Sequence, residues 1–127
     1  HKSVDPLLQK PVLQLTPFFS VEDEKEILPH MPHCISARWN PSFTDITVEG
    51  ADKGNALLKV AAHIGISPSE CIAFGDGGND ISILQAAGIG VTMGNANDDV
   101  KAVADYVTTS VDEDGILNAF KHFGLLE

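Results

Sequence analysis

Two carboxylates and an amide stand in a glycine-rich segment at residues 74–80, Phe-Gly-Asp-Gly-Gly-Asn-Asp. A short apolar run precedes the segment, and a helical pattern that ends at Gly88 follows it. This order predicts a buried strand, a sharp turn and a helix, and ligands collect at the carboxyl ends of parallel strands. Asp76 and Asp80 at such a point suit a hard cation such as Mg²⁺, which takes oxygen ligands and is usually shared with a substrate phosphate.

The same residues allow a purely structural interpretation. Asp76 would then belong to a tight turn, and Asp80 would lie in the first turn of the following helix. For an isolated Gly-Asp-Gly segment, this interpretation is the more frequent one. The preceding strand and the neighbouring Asn79 favour the ligand-binding interpretation instead.

Lys53 is a second candidate for the site, because it begins the helical pattern that precedes the acidic segment. A cation at a helix start gains nothing from the helix dipole. A lysine at the end of a strand-to-helix connection can, however, reach a phosphate as a point charge. The alternative is an ordinary solvated lysine, and the nearby acidic segment favours the phosphate role.

Composition excludes several classes of protein. The 127 residues carry 18 acidic and 8 basic side chains, for a net charge of −10, so clustered cations that would hold a nucleic acid are missing. No apolar run approaches the roughly 18–20 residues that cross a bilayer, and no membrane partner is expected. The two isolated cysteines, Cys34 and Cys71, are expected to be buried thiols in a reducing compartment, and a cytoplasmic location follows.

The first segment of the chain is expected to be α+β with antiparallel strands. Residues 11–16 predict one strand, and residues 34–39 and 43–48 predict a hairpin through their period-2 alternation around a short polar turn. Ser20 is a good N-cap for the helix between them. Asp23 in place of a glutamate is expected to leave the capping box incomplete.

After Gly50 the pattern changes, and strands alternate with helices. An apolar stripe predicts a helix that starts at Lys53 and ends at Gly65. Further strands are predicted at residues 71–74, 89–93 and 106–108. This alternation predicts βαβ units, a parallel sheet and an α/β fold class, with a division of the chain near residue 50.

Four segments in combination resemble the C-terminal half of a Cof-type (subclass IIB) phosphatase of the haloacid dehalogenase superfamily: Lys53-Gly54, residues 74–80, Gly94-Asn95-Ala96 and residues 112–116. The resemblance covers about residues 50–123. It implies that residues 51–127 are the C-terminal part of a Rossmannoid core domain. By the same resemblance, residues 1–50 are the remnant of an α+β cap domain.

The resemblance also implies a role for each matching residue. Asp76 matches the metal-binding aspartate, and Asp80 matches the acidic residue beside it, which supports the metal ligands more than it binds the metal. Asn79 matches an asparagine that contacts the phosphate or the group that attacks it. Lys53 matches the lysine that neutralises the phosphate, and Mg²⁺ is the implied cofactor.

One part of the family pattern is not found in this sequence. The family has an N-terminal strand with Asp-x-Asp, whose first aspartate is the covalent nucleophile, and no such strand is predicted here. The one Asp-x-Asp, at Asp112 and Asp114, opens the last helix and is interpreted as a helix cap. Since the chain also begins with His1 rather than methionine, we expect a truncated piece of a longer phosphatase that lacks the central strand.

The leading hypothesis is therefore part of a Mg²⁺-dependent phosphatase of small phosphorylated metabolites, with sugar phosphates favoured. It acts through an aspartyl-phosphate whose nucleophile is absent from this chain, so the chain alone is expected to be inactive. Arg38 and Trp39 in the hairpin are candidates for substrate specificity, with a structural role as the alternative. A rival hypothesis is a non-catalytic half-domain that binds a phosphorylated ligand, another copy or the missing N-terminal half.

Overall fold

The computed structural model describes residue 5 and residues 9–126. The chain divides into two compact units, His1–Gly50 and Ala51–Glu127. The assignment of these units to a cap remnant and a core domain stays a prediction. Within the described residues, no helix is both long and apolar enough to span a membrane.

The first unit is α+β and its strands are antiparallel. Its elements are β1 (Gln14–Leu15), α1 (Val21–Ile27), a 3₁₀ turn (Leu28–His30), β2 (Cys34–Asn40) and β3 (Phe43–Val48). The strands lie in the order β1-β3-β2, and the predicted hairpin is present. The first strand is shorter than the predicted 11–16, and its two residues pair with Thr47 and Ile46.

The helix start at Ser20 corrects one expectation. Ser20 Oγ accepts a hydrogen bond from Asp23 N, and Asp23 Oδ2 accepts one from Ser20 N, each over 3.1 Å. The capping box is therefore complete. Although aspartate is shorter than the expected glutamate, its carboxylate reaches the backbone nitrogen of Ser20.

The second unit is an α/β fold with a parallel sheet, as predicted. Its strands lie in the order β4-β5-β6 and pair in parallel. Leu84, Val91 and Val100 are almost fully buried at its centre. The elements are α2 (Lys53–Ile64), a 3₁₀ turn (Pro68–Glu70), β4 (Ile72–Gly75), a 3₁₀ turn (Gly78–Asp80), α3 (Ile81–Ala86), β5 (Ile89–Thr92), α4 (Asp98–Lys101), β6 (Tyr106–Val107), a 3₁₀ turn (Val111–Glu113) and α5 (Gly115–His122).

Helices α2 and α3 approach each other closely at Gly54. The glycine is buried, and its backbone N–H donates to Ser82 Oγ over 3.1 Å. A Cβ added at Gly54 would lie 2.8 Å from the carbonyl carbon of Ser82. Because Lys53 directly precedes Gly54, this contact also fixes the position of the Lys53 backbone.

Replacing this glycine tests the contact. Alanine in an exposed helix is about 1 kcal/mol more favourable than glycine, but Gly54→Ala is expected to destabilise the second unit by about 1–3 kcal/mol because the helices must separate. Amide hydrogen exchange of α2 and β4 in NMR spectra would measure the change. Lys59→Ala, at an exposed position of the same helix, is the control and should leave exchange near wild type. Slower exchange in Gly54→Ala would contradict the close contact.

Candidate active site

Residues 76–80 form an acidic loop after β4, and the carboxylate of Asp80 lies at its centre. One oxygen, Oδ2, accepts hydrogen bonds from the backbone N–H groups of Asp76 and Gly77, over 3.0 and 3.1 Å. The other oxygen, Oδ1, accepts from the ammonium group of Lys53 and forms an ion pair with it. Asp80 is buried. It therefore connects the start of α2 to the turn that follows β4.

The backbone reaches this arrangement because Gly75 ends β4. A Cβ at Gly75 would lie 3.0 Å from Cγ of Asp80, so a larger residue would displace the carboxylate. The carbonyl of Gly75 accepts from Thr92 Oγ1 over 3.2 Å, which holds the strand end against β5. Asp80 N donates to Gly77 O over 2.9 Å and closes the turn. Gly75 thus ends the strand and makes room for the buried carboxylate.

The environment of Asp80 sets its ionisation. Burial alone raises the pKa of this carboxyl, but the hydrogen bonds from Lys53 and from the backbone of Gly77 and Asp76 outweigh burial and hold the pKa below its usual 3.8. The ionised form is therefore the one that the folded unit stabilises.

The side chain of Asp76 is exposed at the carboxyl end of β4. Its Oδ2 accepts a hydrogen bond from Asn95 Nδ2 over 3.1 Å. Asn95 was not among the predicted site residues. It lies shortly after β5, which ends at Thr92, so its place near the carboxyl end of the neighbouring parallel strand was the sequence signal that could have identified it.

Lys53 is the first residue of α2, and Asp52 precedes it as the N-cap. The side chain of Asp52 accepts from Asn55 N over 2.9 Å. Half of the Lys53 side chain remains exposed despite its ion pair. The cation is thus anchored next to the acidic loop while it stays open to solvent.

The described residues contain no cluster of three or more His, Cys, Asp or Glu side chains that could hold a metal ion. Both oxygens of Asp80 already accept hydrogen bonds from protein donors, an arrangement compatible with the prediction that it supports the metal ligands more than it binds the metal. Asp76 offers an exposed carboxylate. Mg²⁺ commonly binds through one or two carboxylates together with substrate phosphate and water, so this loop fits part of a Mg²⁺ site.

Asn79 lies partly buried within the 3₁₀ turn of the acidic loop, and its contact with phosphate stays a prediction.

The helix cap that was expected at Asp112 and Asp114 is formed by other residues. Ser110 and Glu113 make the capping box, whereas Asp114 takes a left-handed conformation with φ 56° and makes no side-chain cap hydrogen bond.

Arg38 makes a structural network within the first unit. Its Nε donates to Glu24 Oε2 over 2.7 Å. Its other nitrogens donate to backbone carbonyl oxygens of residues 19, 20, 40, 41 and 43. Because the guanidinium is engaged by its own unit, the geometry favours the structural alternative over substrate recognition.

Trp39 differs from Arg38 because half of its surface is exposed. Its indole N–H donates to Asp45 Oδ2 over 2.9 Å, and its ring meets Phe43 edge-on. A role of Trp39 in substrate specificity stays a prediction.

The acidic loop lies at the carboxyl end of β4, the edge of a parallel sheet at which α/β proteins commonly bind ligands. The family model of haloacid dehalogenase-like hydrolases matches residues 2–120. The chain therefore belongs to this family, and the resemblance noted in the sequence is confirmed.

Several known proteins are similar to this chain. The solved structure of the subclass IIB sugar phosphatase BT4131 superimposes with a TM-score of 0.93 at 50% identity, over 98% of this chain and 48% of that one. The YkrA protein of Bacillus subtilis is 39% identical over 93% of this chain and 46% of its own length. The 5-amino-6-(5-phospho-D-ribitylamino)uracil phosphatase YcsE of Bacillus subtilis is 41% identical over 68% of this chain and 34% of its own length.

The chain thus spans about half the length of BT4131 and of YkrA.

The lowered pKa of Asp80 predicts how acid affects the second unit. A carboxyl whose pKa is lower in the folded state stabilises that state above its unfolded pKa, near 3.8, and this stabilisation is lost as pH falls through the folded value. Asp80→Asn should therefore reduce the free energy of unfolding at about pH 7 by about 1–3 kcal/mol. It should also weaken the dependence on pH below about pH 4. Urea unfolding followed by the NMR amide signals of β4 and β5 measures both effects.

Lys53→Met gives a second test of the same pair. Without the ammonium group, the pKa of Asp80 rises, so acid should destabilise the unit at a higher pH than in the wild type. An unchanged acid midpoint in Lys53→Met would show that the ion pair does not control this ionisation.

Proposed function

We propose that this chain is part of a cytoplasmic, Mg²⁺-dependent phosphatase that hydrolyses small phosphorylated metabolites, with sugar phosphates as the favoured substrates. The observation that carries the proposal is that the buried carboxylate of Asp80 binds both the Lys53 ammonium group and the backbone N–H of Asp76, whose own carboxylate is exposed. Membership of the haloacid dehalogenase-like family supports a hydrolase. The similarity to a sugar phosphatase supports the substrate class.

The residues of this chain supply charge and position. Lys53 is proposed to neutralise the oxygens of a bound phosphate as a point charge, while Asp80 holds its ammonium group in place. Asp76 is proposed to hold Mg²⁺, and Asn79 to contact the phosphate. A bound Mg²⁺ would supply further neutralisation of the phosphoryl oxygens. Positioning and neutralisation provide most of the catalysis in phosphoryl transfer.

The nucleophile is proposed to lie outside these 127 residues. The covalent route needs an aspartate that attacks phosphorus, accepts the phosphoryl group and releases the alcohol, before water hydrolyses the aspartyl-phosphate. In this sequence the one Asp-x-Asp lies at residues 112–114, in the turn before α5 and not on a strand. The chain alone is therefore expected to be inactive.

Phosphate-release assays test this proposal in two arms. The 127-residue chain with Mg²⁺ and a panel of sugar phosphates should give no turnover above the blank. The part of BT4131 that does not align with this chain should restore turnover when it is fused to the chain. Asp76→Ala in the fusion should lower kcat/KM by at least about a hundredfold, and Asp99→Ala, an exposed residue of α4, serves as the control.

Two results would count against the proposal. Turnover by the 127-residue chain alone would show that a nucleophile lies within it. A fusion whose rate is the same with and without Asp76 would show that the metal assignment is wrong.

The rival function, a module that binds a partner chain, is favoured by one observation. Among the described strands, β4 pairs only with β5, so its other edge has no partner within the sheet. An open strand edge is a template for pairing with another chain. We propose that this edge associates with a second copy or with the N-terminal half of a longer polypeptide.

Light scattering coupled to size exclusion tests the association. Pairing through β4 predicts a mass that rises with concentration above the 13.5 kDa of one chain. Ala73→Pro, which disrupts the strand, should reduce that rise if the mutant unit remains folded in NMR spectra. A mass of one chain at all concentrations would contradict association through this edge.

A further inference from the structure

Asn95 joins the acidic loop to the turn that starts α5. Its amide nitrogen Nδ2 donates to Asp76 Oδ2 over 3.1 Å. Its amide oxygen Oδ1 accepts from the backbone N–H of Val111 over 3.0 Å. One side chain thus makes a hydrogen bond to the candidate metal ligand and another to a separate backbone segment.

The backbone that carries Asn95 is firmly held. Gly94 N donates to Thr109 O over 3.1 Å, and Ala96 N donates to Met93 O over 3.0 Å. A Cβ at Gly94 would lie 2.7 Å from Ser110 N, so this loop is packed directly against the segment that follows β6. The position of Asn95 is therefore set by backbone contacts on both of its sides.

The chemistry of the two partners fixes the orientation of the amide. A backbone N–H only donates, and an ionised carboxylate only accepts. The oxygen of Asn95 must therefore face Val111, and its NH₂ group must face Asp76. Flipping the amide would place two donors together at Val111 and two acceptors together at Asp76.

Asp76 gains a defined orientation from this contact. The side chain is exposed, and an exposed carboxylate on a loop has several rotamers that differ little in energy. The bond from Asn95 holds Oδ2. Within residues 9–126, no hydrogen bond occupies the other oxygen, Oδ1.

We propose that Asn95 is a positioning residue for Asp76: it holds Oδ2 so that Oδ1 is presented to a divalent cation. The inference rests on the proposed function, since it assigns the cation to Asp76. It adds that the turn at residues 111–113 takes part in cation binding through Asn95, although this turn contributes no ligand. Groups that orient a metal ligand commonly change metal affinity by about 10- to 100-fold when they are removed.

A matched control is available in the same turn. Asn118 Nδ2 donates to Thr109 Oγ1 and to Glu113 O, both over 2.8 Å. Asn118 thus stabilises the turn before α5, as Asn95 does, and it makes no contact with Asp76. A purely structural role for Asn95 predicts equal effects of Asn95→Ala and Asn118→Ala.

The experiment is a MgCl₂ titration of the 127-residue chain, followed by the NMR amide shifts of residues 75–80. Asn95→Ala should weaken Mg²⁺ binding at least about tenfold. Asn118→Ala should bind Mg²⁺ as the wild type does, although both variants lower the melting temperature. Equal Mg²⁺ affinities of Asn95→Ala and the wild type, or equal losses in the two variants, would overturn the proposal.

Val111→Pro tests the second bond without changing Asn95 or Asp76. Proline lacks the N–H that donates to Asn95, and it is tolerated at the first position of a helical turn. Ser110 already has the extended conformation that a following proline requires, with φ −61° and ψ 160°. The Mg²⁺ affinity of the Val111→Pro variant should fall between those of the wild type and Asn95→Ala. An unchanged affinity would overturn the proposed role of the turn.

The fusion phosphatase separates this inference from the proposed function. Asn95→Ala should raise the Mg²⁺ concentration for half-maximal hydrolysis by at least about tenfold, and kcat at saturating Mg²⁺ should change less. An active fusion with an unchanged Mg²⁺ requirement would overturn the role of Asn95 alone. An inactive fusion, together with no Mg²⁺-induced shifts at residues 75–80, would overturn both.

Discussion

A single buried carboxylate determines how the second unit is assembled. Asp80 is removed from solvent, and a charge in that position is costly unless donors surround it. The donors come from the turn after β4 and from the first residue of α2, so the chain must bring these two regions together. The conformation of the loop and the position of the Lys53 cation therefore depend on the same carboxylate.

The same constraint explains where small residues are required. Gly75 leaves space for the Asp80 side chain, and Gly54 lets α2 approach the backbone of α3. Because glycine has no side chain, two backbone segments can meet at Gly54, and a backbone and a carboxylate can meet at Gly75. Polar geometry and close packing are thus satisfied by the same few positions.

Much of this arrangement could be predicted from the sequence. Period-2 alternation predicted the hairpin, and short apolar runs predicted β4 and β5, because those signals are local. Contacts between distant segments could not be predicted. Arg38 donates to a carbonyl group 19 positions away, and Asn95 contacts a carboxylate 19 positions away. Such bonds depend on how the elements pack. The position of Asn95 after β5 could indicate that it lies near the site, but not which group it bonds.

The indole contact in the first unit has a spectroscopic consequence. Trp39 is the sole tryptophan of the chain, and its N–H is bonded to Asp45. The sole tyrosine, Tyr106, belongs to the second unit and stacks on His122 with ring centroids 4.0 Å apart. Each unit thus carries its own chromophore in an asymmetric aromatic setting. Near-ultraviolet circular dichroism can therefore distinguish the loss of one unit from the loss of the other without any label.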